Sequence, residues 1–144
     1  MRRDEGAAQD PARRVFDADR AAERMGIELL EHAAGRAVLR MTVTARMLNG
    51  HGTAHGGCLF LLADAAFACG CNSHGPATVA AGADIDFVAP AHEGDVLTAV
   101  AEERTRSGRS GIYDVTVRRG DQVIAEFRGR SRTLGAAAGR PAPD

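Results

Sequence analysis

The sequence predicts an α+β domain in which one antiparallel β-sheet curls around a single buried α-helix. Three observations carry that expectation. A nearly uninterrupted apolar stretch rich in Ala and Leu runs from residue 56 to residue 71, too long for a strand and suited to about four helical turns. One segment before it alternates apolar and polar residues, and four more strand-like segments follow it, separated by short turns. A helix that is apolar on almost every side must be surrounded, and one sheet achieves this only by wrapping around it.

The chain has 144 residues, 44% of them hydrophobic, enough for one domain with a core and too few for two. Residues 1–10 are polar and residues 136–144 (AAAGRPAPD) are small and Pro-containing, so both ends are expected to be flexible around a domain at 11–135. Between Ala12 and Met25 the pattern VFDADRAAERM predicts one short helix, with Val15, Phe16, Ala22 and Met25 toward one side and Gly26 closing it. From Gly35 onward Ala37, Leu39, Met41 and Val43 alternate with Arg40, Thr42 and Thr44, the pattern of a half-buried strand. A loop from Arg46 to Ala54 then leads into the buried helix. Residues 77–88, 95–106, 112–119 and 122–133 read as four successive strands. The turn Pro90–Asp95 is expected to join the first two as an antiparallel pair, Ser107–Gly111 the next two, and Gly120-Asp121 the last two as a tight hairpin.

Composition excludes several function classes. Lys and Arg number 18 against 19 Asp and Glu, so no general field draws the chain to nucleic acid or to a membrane surface. No N-terminal targeting pattern is visible, and the apolar run is too short, and too polar at Asp64, to span a bilayer. A soluble, cytoplasmic protein is expected. Cys58, Cys69 and Cys71 read as reduced core thiols, and Cys69-Gly-Cys71 with His74 lacks a zinc-site spacing and a fourth ligand, so no metal is expected. His51 and His55 are separated by Gly52 and no Glu follows His51, unlike the helical zinc-protease motif.

Asp64 is the charged residue of the apolar helix. An ionised carboxylate in apolar surroundings is costly unless it is paired or protonated. Two explanations stand side by side: a structural pair with a buried Arg, and a catalytic acid or base.

A set of motifs then converges in order and spacing: Met47-Leu48-Asn49-Gly50-His51, His55-Gly56-Gly57, Leu59-Phe60-x-Leu62-Ala63-Asp64-x-Ala66-Phe67-Ala68, and Asn72-Ser73 after the helix. Ile85-Asp86-Phe87 with Pro90, Gly94-Asp95, Gly111-x-Tyr113-Asp114 and Phe127-Arg128-Gly129 extend it. Together they resemble the PaaI family of hotdog thioesterases, from about Ala22 to Gly135. The resemblance implies the hotdog fold, a sheet wrapped around a central helix. It also implies hydrolysis of acyl-CoA thioesters, with phenylacetyl-CoA and ring-hydroxylated derivatives as substrates in bacterial phenylacetate degradation. One departure is Ala65, where many members carry Thr after the acid; a missing hydroxyl there bears on turnover or substrate preference.

The residue chemistry fits that implication. Thioester hydrolysis needs a nucleophile and a stabiliser for charge developing on the carbonyl oxygen. His55-Gly56-Gly57 marks the helix entry, where backbone N–H groups lack intrahelical partners at the positive end of the dipole. The Gly56 N–H, with Gly57 as a second donor, is assigned to the oxyanion, and Asp64 acts as general base toward water or as direct nucleophile. Gly57 and Asp64 are seven residues apart, about 10 Å along a helix axis, so one carbonyl cannot touch both. A second helix packed antiparallel across a two-fold axis would bring Asp64 of one subunit toward the Gly56 turn of the other. The resemblance agrees, implying a dimer with two shared sites that assembles further into a tetramer.

Asn49 either orients the water or thioester or stabilises the turn before Gly50; the resemblance favours the site. His55 either polarises the thioester or caps the helix. CoA carries phosphates, so Arg104, Arg106 and Arg109 at one turn, with Arg128, Arg130 and Arg132 on the last strand, are candidates to bind them, against the plainer role of keeping a strand soluble. Phe60, Phe67 and Phe87 are candidates for an acyl pocket, or for the core. No separate cofactor is expected, because CoA is part of the substrate. Two other classes stay open: a hotdog acyl-CoA hydratase or dehydratase using His55 with Asp64, and a non-catalytic acyl-CoA sensor, for which no DNA-binding helix-turn-helix appears.

Overall fold

The computed structural model describes residues 10–135; of the ends expected to be flexible, 1–10 and 136–144, all but Asp10 lie outside the described residues, and Asp10 caps the first helix by accepting from Arg13 N. The N-terminal segment forms two helices, not one: α1 (Pro11–Asp17) and α2 (Arg20–Arg24). Asp19 separates them because its carboxylate accepts from Ala22 N (2.9 Å) and starts a new helix. Two strands follow, β1 (Glu28–Ala33) and β2 (Arg36–Thr42), then the central helix α3 (Gly56–Asn72) and the strands β3 (Thr78–Phe87), β4 (Val96–Ser107), β5 (Ser110–Arg119) and β6 (Gln122–Thr133).

These form one six-stranded antiparallel sheet in the order β1-β2-β4-β5-β6-β3. The alternation pattern predicts only five strands. β1 escapes it because the segment is an edge with one buried residue, Leu29, and a bulge between Leu29 and Glu31 that breaks the alternation. A second correction concerns neighbours: β3 pairs with β6 and not with β4. The eight residues from 88 to 95 do not form a hairpin. They cross the end of the sheet over three strand spacings, about 14 Å, well within the reach of an extended chain of that length. Val88 N on Ile124 O (2.8 Å) and Ala54 N on Ala91 O (2.8 Å) pin the crossing to β6 and to the loop before α3.

α3 lies on the concave face, packed mainly against β2, β4 and β5, with α1 on its other side. The predicted face of β2 is buried: Ala37 and Leu39 are fully covered and Met41 and Val43 nearly so. Phe67 packs on Tyr113 and Phe127 (ring centroids 5.6 and 5.8 Å apart). It fits because position 129 is glycine, where a Cβ would stand 2.7 Å from the Phe67 ring. At the far end of α3, buried Asn72 accepts from Thr78 N and donates to Thr78 O and Ala68 O, each at 2.9 Å. This fixes the start of β3 to the helix.

Candidate active site

The chain between β2 and α3 folds back on itself. It makes a 3-10 turn at Ala45–Met47 and a single bridge between Leu48 and Ala54, and His55 N donates to Met47 O at 2.7 Å. The Asn49 carboxamide oxygen holds the bend, accepting from His51 N (2.9 Å), Thr53 N (3.2 Å) and Thr53 Oγ1 (3.4 Å). That is an Asx-type turn, and it occupies only the oxygen. The Asn49 Nδ2 has no partner among the described residues. Asn49 lines a cavity of about 430 Å³ with Thr53, Gly56, Leu59, Phe87 and Pro90.

The entry to α3 leaves one amide open. His55 is the N-cap, and its Nδ1 accepts from Gly57 N at 3.0 Å. Cys58 N and Leu59 N both donate to His55 O (2.9 and 3.2 Å). The Gly56 N–H has no acceptor among the described residues and sits at the positive end of the helix dipole, in a residue that faces the cavity. The paired assignment of Gly56 and Gly57 is therefore corrected in this chain: the Gly57 N–H is held by the imidazole. The same bond gives His55 its capping role and, in the neutral ring, leaves the proton on Nε2.

Asp64 lies eight residues beyond Gly56 on the same helix, about 12 Å along the axis, and does not line this cavity. It is half-buried and makes no hydrogen bond or ion pair with a described residue, so the pairing with a buried Arg is not formed. Burial pushes its carboxyl above the ordinary value, and the Asp19 carboxylate adds to the effect. Ala65 beside it is 3% exposed, so a threonine there would need space within the core.

The remaining candidates scatter. Phe67 is 1% exposed and Phe60 stacks edge-on against Phe127 at 5.3 Å; neither lines the cavity, and Leu59 and Phe87 take that place. The sequence places Leu59 in the Leu59-Phe60-x-Leu62 motif, one turn after Gly56, without marking it as a pocket residue. Arg128 grips Asp114 with two bonds (2.6 and 2.8 Å) and Arg130 bonds Asp84 at 3.1 Å, both pointing away from the helix, so these two arginines form cross-strand pairs on the outer face. Arg104 joins Asp114 at 3.4 Å. Arg109 and Arg132 make no ion pair with a described residue, and Arg106 lines a separate cavity at the opposite end of α3. Among the described residues no three His, Cys, Asp or Glu side chains cluster as a metal site, and no helix is long and apolar enough to cross a membrane.

Comparison with known proteins gives a consistent set of likenesses. The profile of the thioesterase superfamily matches residues 51–126. The acyl-coenzyme A thioesterase PaaI of Escherichia coli strain K12 is 46% identical over 125 residues, 86% of this chain and 89% of that protein. The solved structure of the E. coli PaaI protein from the phenylacetic acid degradation operon superposes with a TM-score of 0.86 at 44% identity, covering 90% of this chain and 95% of that one. A mutant of the phenylacetic acid degradation protein PaaI from Thermus thermophilus superposes with a TM-score of 0.78 at 39% identity, covering 81% and 100%.

Proposed function

The chain belongs to the thioesterase superfamily, and from that premise we propose that it hydrolyses phenylacetyl-CoA and ring-hydroxylated phenylacetyl-CoA to the free acid and CoA, in bacterial phenylacetate degradation. The observation that carries the reading is the open Gly56 amide in a cavity that also holds Asn49 and Phe87. The Gly56 N–H donates to the thioester oxygen as charge develops on it, the Asn49 Nδ2 orients the thioester or the attacking water, and the Phe87 ring and Leu59 contact the aryl group. Asp64 supplies the base or the nucleophile. CoA is part of the substrate, and no further cofactor takes part.

Asp64 comes from a second copy. The separation of about 12 Å from Gly56 on a straight helix prevents one chain from presenting both groups to one carbonyl. The free edge of β3 supports such a pairing: Val79 and Phe87 are 46% and 53% exposed there, an apolar edge of the kind that another strand covers. Two such dimers assemble into a homotetramer in the cytoplasm, without nucleic-acid or membrane partners, in line with the net charge of −1. The hydratase reading loses ground because the His55 Nδ1 is held by the helix cap.

The test is release of free CoA from phenylacetyl, hydroxyphenylacetyl, acetyl and long-chain thioesters by the wild type and by Asp64→Asn. Aryl-selective hydrolysis lost in the folded variant is expected. Binding of the thioesters without CoA release by the wild type would overturn the reading. For the shared site, an Asp64→Asn subunit mixed with a Gly56→Pro subunit regains activity; proline suits the first helical position, removes the N–H in question and also sets a Cβ against the Phe87 ring.

A further inference from the structure

A second cavity, of about 160 Å³, opens between the C-terminal end of α3 and the ends of β4, β5 and β6. Its lining holds one guanidinium (Arg106), one imidazole (His74), five hydroxyls and a thiol, and no carboxylate. Two local features create it. Position 111 is glycine, and a Cβ there would stand 2.7 Å from Ser131 Oγ and 3.1 Å from the Tyr113 ring. The β4–β5 register slips between Glu103 and Thr105, so the extra residue brings Arg106 to the same inner face as Glu103; strict alternation would have sent it outward.

A donor count shows what the cavity can recognise. Glu103, its side chain 26% exposed, sits beside the lining and accepts from His74 Nε2 (2.7 Å) and Tyr113 Oη (2.9 Å), with Arg106 Nε at 3.5 Å. Thr78 Oγ1 donates to Pro76 O at 2.9 Å, so the bond between Thr78 and Thr133 at 3.1 Å takes the Thr133 proton. Tyr113, Thr78 and Thr133 therefore offer no free O–H. Ser110 and Ser131 make no hydrogen bond with a described residue through their side chains. Ser131 is 6% exposed as a residue, but its hydroxyl oxygen is not among the buried atoms left unpaired: it opens onto the cavity, where a ligand or water can reach it. The free donors are thus the Ser131 and Ser110 hydroxyls and the two terminal nitrogens of Arg106.

We propose that this cavity is a binding site for a phosphate dianion. A guanidinium whose Nε faces Glu103 and whose two terminal nitrogens are left over, together with two hydroxyl donors, matches a tetrahedral oxyanion. The volume admits one phosphate group and not a whole acyl-CoA, whose pockets run to several hundred Å³. The phosphate comes either from the ribose of CoA or from the free anion.

The experiment is titration calorimetry of the full chain with inorganic phosphate in a phosphate- and sulfate-free buffer at constant ionic strength. Saturable binding at one site per chain is expected, weakened about tenfold or more by Arg106→Gln and by less in Ser131→Ala. Both changes are small, one exposed and one the loss of a single oxygen, and thermal unfolding checks that the fold is kept. Heats that never saturate, or binding unchanged in both variants, would overturn the proposal. Competition then separates the sources: displacement of phosphate by CoA but not by dephospho-CoA assigns the site to the ribose phosphate, and displacement by neither assigns it to the free anion. No thioester enters the assay, so failure here and failure of the thioesterase reading are distinguishable.

Discussion

The ring of Phe87 rests on Gly56: a Cβ at Gly56 would stand 3.0 Å from Phe87 Cζ and 3.3 Å from Cε1. The contact ties the exposed end of β3 to the one open amide of α3. Gly56→Ala keeps that N–H and displaces the ring, so kcat/KM for phenylacetyl-CoA is expected to fall about tenfold while circular dichroism stays unchanged. Phe87→Ala alone lowers it as well. Because both variants disturb the same contact, the double variant should lose less than the sum, by about 1 kcal/mol. Strict additivity would show that Phe87 acts independently of Gly56.

Asp64 sets a pH dependence with opposite signs for stability and for rate. Its carboxyl is held above the ordinary value by burial first and by Asp19 second. A raised folded-state value means that the stability contributed by the group is complete below the unfolded value and is lost as pH rises through the folded value. At neutral pH the charge is a cost, so Asp64→Asn is expected to raise the melting temperature at pH 7, with the gain vanishing below about pH 4. Activity follows the ionised form, so the acid limb of kcat/KM should fall above the ordinary carboxylate range. A variant destabilised at pH 7 would mean that Asp64 is paired in the assembled protein.

The three thiols differ in reactivity. Burial pushes Cys69 and Cys71 up to about 12 and raises Cys58 as well. At pH 8 about one in 10⁴ molecules carries a thiolate at a group titrating near 12. Iodoacetamide on the native protein should label half-buried Cys58 first and the other two only after unfolding, read by peptide mass spectrometry. Rapid labelling of Cys69 or Cys71 in the native state would contradict their burial against the sheet.

The elements that show through in the sequence are those whose burial leaves a clear apolar signature, either along one face or along the whole segment. β2 reads cleanly because Ala37, Leu39 and Met41 are all buried on one side, and α3 because it is buried nearly all round. β1 does not, since an edge strand with a bulge and one buried residue has no period to find. Loop length misled the placing of β3: a short connection fixes which strands are antiparallel only if it is a hairpin, and this one crosses the sheet end. At the site, motif spacing pointed to Gly56, Asn49 and Asp64, but hydrogen-bond competition cannot be read from spacing. The His55 imidazole takes the Gly57 amide, and Asp114 and Asp84 take Arg128 and Arg130. The partners lie one strand away in space and 14 to 46 positions away in sequence.

Asn72 joins the end of α3 to β3, and its replacement tests how much of the site depends on that joint. Its side chain satisfies both the N–H and the C=O of Thr78 and also bonds Ala68 O, while the residue is 6% exposed. Asn72→Ala removes these bonds without admitting much water, so destabilisation of about 2–4 kcal/mol is expected in urea unfolding. Asn72→Asp keeps the acceptor for Thr78 N but turns a carboxylate oxygen toward two carbonyl oxygens. Protonation would restore a donor there, so the folded state raises the pKa of the introduced acid, and its penalty should be largest at pH 7 and shrink as pH falls toward 5. A loss independent of pH in that range would mean that the Thr78 carbonyl finds another partner, and that the joint holds through the helix packing alone.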